Sequence, residues 1–327
     1  MTELFPYKDS DHREDWNRFV RESVNATFLL DRNYMDYHKD RFSDCSLVLT
    51  NNNRIIGLFP ANATKSDACI YSHQGLTYGG LIVGNGTTSS EVFKMLDAIC
   101  AYYKNIGFKK LIYKEIPSIY HSYPSAADQY WLFRAQALLK SRSISSVVPL
   151  NTPLPFSNLR QRKIKKAACA GHIVKLNDSS LEAFWGLLTE NLLKNHHTHP
   201  VHTLQEIIHL KNKFPLNIRF HSVADSNNAM LGGCVVYETK NVAHIQYIAA
   251  NAKGKDSCAL DLLFYELTYY YRQLNNFKYL DYGISTEDGG NVLNNGLLFQ
   301  KEGFGARAIC YDTYELNLQN LSESFYT

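Results

Sequence analysis

None of the seven cysteines is paired with another in a CxxC motif, and their number is odd. This excludes a disulfide framework and a CxxC redox or metal site. Most of Cys45, Cys69, Cys100, Cys169, Cys234, Cys258 and Cys310 are expected to be buried thiols in a reducing compartment. No stretch approaches the roughly 18 uninterrupted apolar residues that a membrane span needs. The opening MTELFPYKDSDHREDW has no apolar core of the signal-peptide kind, so a cytoplasmic protein is expected. Charge of one sign is also missing: the net charge is only +3, unlike a dedicated duplex-DNA binder, which carries a basic excess over a whole domain. There is no Walker A loop, GxSxG elbow, HExxH pair or EF-hand loop, and the chemistries those motifs support have no foothold here.

What the chain does have is length and apolar content. Its 327 residues suit two domains. Hydrophobic residues make up 45% and charged ones 20%, with 22 Tyr and 17 Phe, enough apolar surface to offset chain entropy on folding.

Hydrophobic spacing supplies the elements. Val92, Met95, Leu96, Ile99 and Tyr103 recur at helical intervals after Thr88 and Glu91, a capping-box pair, and Gly107 closes that helix. FKKLIYKEIP then reads as a strand stopped by Pro117. Leu260, Leu263, Phe264, Leu267, Tyr271 and Leu274 repeat the helical stripe, with Asp256 or Ser257 as cap, and FKYLDYGIS repeats the strand. Residues 102–113 and 271–282 align without a gap, and five of the twelve positions are identical: Tyr102/Tyr271, Phe108/Phe277, Lys109/Lys278, Leu111/Leu280 and Tyr113/Tyr282. A repeat half a chain long points to two copies of one domain.

Each half follows the same order. Trp16, Phe19 and Val20 share a helix face, and CSLVLTNNNRIIGLFPANA reads as a hairpin turning at Asn51–Asn53. In the second half Leu181, Phe184, Trp185, Leu188 and Leu192 share a face, with Ser179 and Glu182 as capping box. IRFHSVADSNNAMLGGCVVYET is the matching hairpin, and NVAHIQYIAAN is a third strand. Strands framed by helices predict an α/β (α+β) fold with mixed β-sheets. NTPLPFSN, with its two prolines, is the natural connector, which divides the chain into residues 1–155 and 156–327.

Just past the connector, five of the seven residues from Arg160 to Lys166 are Arg or Lys. Arg160, Lys163 and Lys166 would lie along one broad side of a helix. Such a side could meet phosphates, or simply face solvent in a linker.

With these features in place the sequence resembles the tandem GNAT-like acyltransferases of the Fem type. The resemblance lies in LRQRKIKKAACAGHIVKL, at Arg160, Arg162, Ile164, Lys166, Ala167 and Gly171. It lies also in YLDYG followed by NGLLFQKEGFGARAICYDTYEL, at Gly296, Leu297, Phe299, Lys301, Phe304 and Gly305. The long coiled-coil arm of some cell-wall members is missing. The resemblance implies metal-independent acyl transfer to an amine, or to a hydroxyl, on an anionic cell-envelope precursor, with an amino sugar on a nucleotide carrier as the preferred acceptor. It implies acetyl-CoA or another acyl-CoA as donor, with aminoacyl-tRNA as the alternative. A binding protein on a decayed transferase fold is the reading from a different class.

The resemblance also directs attention to particular residues. Asn251, Lys253, Gly254, Lys255, Asp256 and Ser257 form a turn between strand and helix, where amides at a helix N-terminus would hold the pyrophosphate of coenzyme A. Asn251 and Asp256 depart from the family pattern. VGNGTTS, with Gly84 and Gly86, is the counterpart in the first half. Acyl transfer to an ammonium needs a base. His244, Asp281 and Glu287 are candidates, and His73, near Tyr78, is the counterpart in the first half. Arg160, Arg162, Lys166, Tyr78, His197 and Gln246 are assigned to the acceptor. NHHTHPVH holds four histidines, but no Cys is near and no carboxylate follows until Glu206, so no metal is assigned and the histidines could instead line the acceptor pocket.

Overall fold

The computed structural model describes residues 2–64 and 68–321. It divides into two compact units. The first is Met1–Ser143 with Gly289–Asn291 and Cys310–Thr327, and the second is Ile144–Asp288 with Val292–Ile309. The chain enters the second unit ahead of the 155/156 junction read from the sequence, and its final strand returns to the first.

In the first unit the elements run β1 (Thr2–Pro6), α1 (Asp9–Glu22), α2 (Arg32–Met35), β2 (Ser43–Asp44), β3 (Leu47–Asn51), β4 (Arg54–Phe59), β5 (Asn62–Ala63), β6 (Cys69–Tyr71), β7 (Ile82–Val83), α3 (Ser89–Asn105), β8 (Lys110–Lys114) and α4 (Ala127–Arg134). One antiparallel sheet has the order β1-β3-β4-β7. The β3–β4 hairpin turns at Asn52 and Asn53, both with positive φ (50° and 60°), as a tight two-residue turn requires. Thr88 and Glu91 form the expected capping box of α3, which buries Val92, Met95, Leu96, Ile99 and Tyr103. Gly107, at φ +99°, follows the helix in a conformation that favours glycine. β6 and β8 are parallel.

β9 (Leu138–Pro149) leads into the second unit. There follow α5 (Asn158–Cys169), β10 (Ile173–Lys175), α6 (Leu181–His196), α7 (Leu204–Lys213), β11 (Ile218–Ala224), β12 (Met230–Glu238), β13 (Val242–Ala250), α8 (Ala252–Asp256), α9 (Ala259–Leu274), β14 (Tyr279–Ile284), β15 (Thr286–Glu287), β16 (Val292–Leu293), α10 (Asn295–Glu302) and β17 (Arg307–Asn317). The sheet order is β10-β11-β12-β13-β14, with residues 144–149 of β9 beside β14. β13 and β14 are parallel.

The repeat read from the sequence is present as α3–β8 and α9–β14, each a helix followed by the second strand of a parallel pair. Leu111 and Tyr113 are buried in one core, Leu280 and Tyr282 in the other. The match slips at its start: Tyr271 is buried, whereas Tyr102 is half-buried and Tyr103 takes the inner place.

Two caps differ from expectation. Ser179 and Glu182 form no capping box, because α6 starts after Ser180, whose amide and hydroxyl bond Asp178 instead. Asp256 and Ser257 do not cap α9. Residues 252–256 are themselves a short helix, and α9 starts after Cys258, which sits at φ +61°.

Candidate active site

Ala243, Ile245, Leu280 and Tyr282 pack into the core that α9 closes, together with Leu263, Phe264, Leu267 and Tyr271. Side chains alternate along a strand, so His244 and Asp281 face the other side of the sheet. They are direct neighbours in the β13–β14 ladder. His244 Nδ1 lies 2.8 Å from Asp281 Oδ2. A carboxylate only accepts, so Nδ1 carries the proton and Nε2 is left as the basic atom.

Asp281 is fully buried and well supplied with donors. Ser145 Oγ donates to Oδ1 at 2.6 Å, and the Gly283 amide donates to the same atom at 2.8 Å. Burial alone would raise its carboxyl; the neighbouring His244 and these hydrogen bonds outweigh it and hold the group below the usual carboxylate range. Gly283 permits the geometry. It has φ +75°, and a Cβ there would stand 3.5 Å from His244 Cε1. The β14 register against β9 shifts between Asp281 and Ile284, a bulge that re-aims this stretch. Lys301 of α10 is buried and donates to the Gly283 and Ile284 carbonyls at 2.8 and 2.7 Å. Burial lowers its ammonium to about 8, against the opposing pull of Asp281.

Beyond His244 the two strands part. Their pairing covers Val242–His244 and Tyr279–Asp281, while β13 continues to Ala250. β13 also bulges on its other edge: Val235 faces Tyr247 and Val236 faces Ile245, which leaves Gln246 as the extra residue. On the His244 side of the sheet, Tyr247 meets Trp185 of α6 at 5.0 Å between ring centroids and bonds His202 Nδ1. Trp185, His199, His202, Glu182 and Glu190 line a cavity of about 720 Å³.

The other expected residues lie elsewhere. Glu287 is exposed in the β15–β16 ribbon and accepts from Asn294 Nδ2 at 3.2 Å. His197 is exposed at the C-terminal end of α6, at φ +52°, and the side chain of His196 lies outside the description. Tyr78 is buried in the first unit, bonded to Thr27 Oγ1 at 2.8 Å and packed on Tyr120. His73 is buried in a cavity of that unit.

The basic helix lies away from His244, and its Arg160 is used inside the fold. α5 packs on α9, with Ala167 and Ile164 against Cys258 and Leu262, and so sits on the face of the sheet opposite His244. Arg160 is buried, with Nη1 2.6 Å from Asp261 Oδ1 and its guanidinium 4.9 Å from the Phe304 ring centroid. Lys166 Nζ donates to the Asp256 carbonyl at 2.8 Å. Arg162 is exposed on the outer side.

The turn assigned to pyrophosphate is largely self-satisfied. Asn251 Oδ1 accepts from the Gly254 amide at 2.7 Å, and the Asn251 carbonyl accepts from Lys255 at 2.9 Å. The Ser257 and Cys258 amides bond the Lys253 and Lys255 carbonyls. Lys253 pairs with Asp225, and Lys255 Nζ bonds Asn191 at 3.1 Å. Gly254 is required by packing, since a Cβ there would stand 2.2 Å from the Leu231 carbonyl oxygen. Among the described residues no group of three or more His, Cys, Asp or Glu side chains could hold a metal ion. No helix among them is long and apolar enough to cross a membrane.

Sequence reasoning missed Ser145, Gly283, Trp185 and Tyr247 as parts of a site, and Lys301 entered only through the resemblance; His199 and His202 belong to the histidine-rich segment that the sequence offered as an acceptor-pocket lining. Ser145 had a signal, being one of two serines in the otherwise apolar run ISSVVPL.

No family model and no curated protein matches the chain. Solved structures do, over nearly its full length. FemX superposes with a TM-score of 0.69 at 10% identity, covering 97% of this chain and 98% of that one. L-PGS from Bacillus licheniformis gives 0.61 at 9% identity, covering 94% and 91%. A tandem GNAT protein from the clavulanic acid biosynthesis pathway gives 0.55 at 10% identity, covering 98% and 100%. The chain therefore has the tandem GNAT-like, Fem-type fold of these structures.

Proposed function

We propose that the second unit is an acyltransferase site in which His244, oriented by Asp281, removes the proton from an acceptor amine. The observation that carries this reading is the His244–Asp281 pair at the point where β13 and β14 part. An ammonium must lose its proton before nitrogen can attack an acyl carbon. His244 Nε2 is the lone pair for that task, and the buried carboxylate fixes the tautomer and stabilises the imidazolium that forms. The nitrogen attacks the carbonyl and a tetrahedral oxyanion forms; as it collapses, the leaving thiolate or alkoxide of the donor takes the proton back from the His244 imidazolium, and the new amide nitrogen loses its remaining extra proton to solvent. The parted strands open a slot for the donor, and the bulge at Gln246 removes that residue from the ladder, a source of backbone donors for the oxyanion.

The acceptor is drawn to the cavity beside Trp185 and His202, on the same face of the sheet as His244. Its rim carries Glu182 and Glu190, which suits a cationic amine better than an anionic precursor. An acyl-CoA is the first donor to test. The amides of the 251–257 turn are mostly occupied, which favours aminoacyl-tRNA as the second.

The test is turnover by the full chain. Acetyl-CoA with a panel of primary amines is followed by thiol release, and aminoacyl-tRNA by loss of the ester. Turnover by the wild type, with His244→Ala reducing kcat by about 10²–10⁴-fold, is expected. Equal rates for wild type and His244→Ala would refute the assignment of the base, and no turnover with either donor would refute the enzyme reading.

A further inference from the structure

The first unit holds a separate cavity of about 330 Å³, at the lower end of the range for small-ligand pockets. Arg32 forms part of its wall and is almost wholly buried, at 1% exposure. Nη1 bonds Asp44 at 2.7 Å. The guanidinium carbon lies 3.6 Å from the Tyr7 ring centroid and 4.1 Å from that of Trp16. The two rings stand at 72° to each other, so the planar guanidinium lies flat on at most one of them. Nε and Nη2, the two donors of one edge, have no hydrogen-bond partner. Such an edge fits the two oxygens of a carboxylate.

Two further observations point to a ligand. His73 lines the same cavity at 6% exposure, and its Nδ1 also has no partner. Its backbone stands at φ +70°, which carries strain of order 1–3 kcal/mol and is typical of ligand clamps. Burial keeps the imidazole neutral at pH 7, with its titration pushed down to about 3. The charged side chains around the cavity are Asp9, Asp36 and Asp44 against Arg13, Arg32 and Lys39. A free anion would gain the Arg32 edge but face the carboxylates. A ligand carrying both charges answers both signs, and Met35 and Phe42 offer apolar surface for its remainder.

We infer that this cavity is a binding site for a small zwitterion of the α-amino-acid type, with its carboxylate on the Arg32 edge and its ammonium towards the aspartates. The test is isothermal titration and thermal shift of the full chain against the standard L-amino acids. Acetate, inorganic phosphate and propylamine serve as single-charge controls. At least one amino acid should bind saturably and raise Tm, and no control should match it. Arg32→Lys keeps the charge but loses the fork and is expected to weaken binding about tenfold or more. Because Arg32 is also an ion-pair partner, Phe42→Trp provides a second arm: it fills the cavity from a half-buried position and should abolish binding in a folded protein. Absence of binding by every amino acid, equal binding of acetate or phosphate, or unchanged affinity in Phe42→Trp would each overturn the inference.

Discussion

Replacement of Arg160 by Met tests whether the basic helix is architecture. Arg160 and Asp261 are 6% and 9% exposed at the side chain, with nitrogen and oxygen 2.6 Å apart. Removing the guanidinium leaves the Asp261 carboxylate buried without its cation, which costs about 3–5 kcal/mol. Met retains much of the packing on Phe304, so the charge is the main loss. For a unit of this size each kcal/mol moves Tm by about 2–4 °C, so a fall of about 6–20 °C is expected in the transition of the second unit. Scanning calorimetry resolves it, and Trp185 fluorescence assigns it, since Trp16 and Trp131 belong to the first unit. The double variant Arg160→Met/Asp261→Leu removes both charges and should recover most of the loss. Arg162→Gln, on the exposed side of the same helix, should leave Tm unchanged. If Arg160→Met melts within about 2 °C of the wild type, the buried pair is not stabilising the unit and the reasoning fails.

Other substitutions follow from the same geometry. Gly254→Ala should lower stability by about 1–3 kcal/mol in urea unfolding without any ligand present, because its Cβ meets the Leu231 carbonyl. His221 is buried, its ring nitrogens engaged with the Asn177 amide and the Tyr271 hydroxyl. Burial, aided by the charges of Arg219 and Lys211, pushes its titration from 6.5 down to about 3. The unfolded chain therefore binds the extra proton in that window, and stability present above pH 6.5 is lost as pH falls towards 3, by up to about 1.4 kcal/mol per pH unit. His221→Gln should show a shallower loss in urea titrations between those pH values. Asp281→Asn should destabilise at neutral pH, with the gap narrowing as pH falls below the ordinary carboxylate range, since its folded titration lies lower still.

The elements were legible where period and caps agreed. Thr88 with Glu91, the Asn52–Asn53 turn and the Leu111/Leu280 and Tyr113/Tyr282 pairs all mark features that local sequence determines. His244 and Asp281 were legible as candidates on neighbouring strands. Their pairing was not, because Ser145 and the Gly283 bulge that orient the carboxylate come from residues 136 apart in the chain at their most distant contact. Arg160 was misread for a similar reason. A run of cations looks free to meet an anionic acceptor when the acid that buries one of them, Asp261, is 101 residues away. The short helix at the Asn251–Ser257 turn was not legible, because it depends on Asn251 Oδ1 accepting from the Gly254 amide, a contact that residue spacing does not reveal.

The path of β17 has a consequence for synthesis. Residues 313–317 pair with β8, and Leu316 and Leu318 lie in the first unit's core beside Leu111. That core therefore stays open while the whole second unit is being made. At roughly 5–20 residues per second, the ribosome needs on the order of ten seconds or more to travel from Ser143 to Cys310. Through that interval the edge of β8 is exposed as a strand without its partner, a template for pairing with other chains. The nascent protein is thus most vulnerable to aggregation in the part that emerged first, and a chaperone that shields β8 would be most useful late in translation.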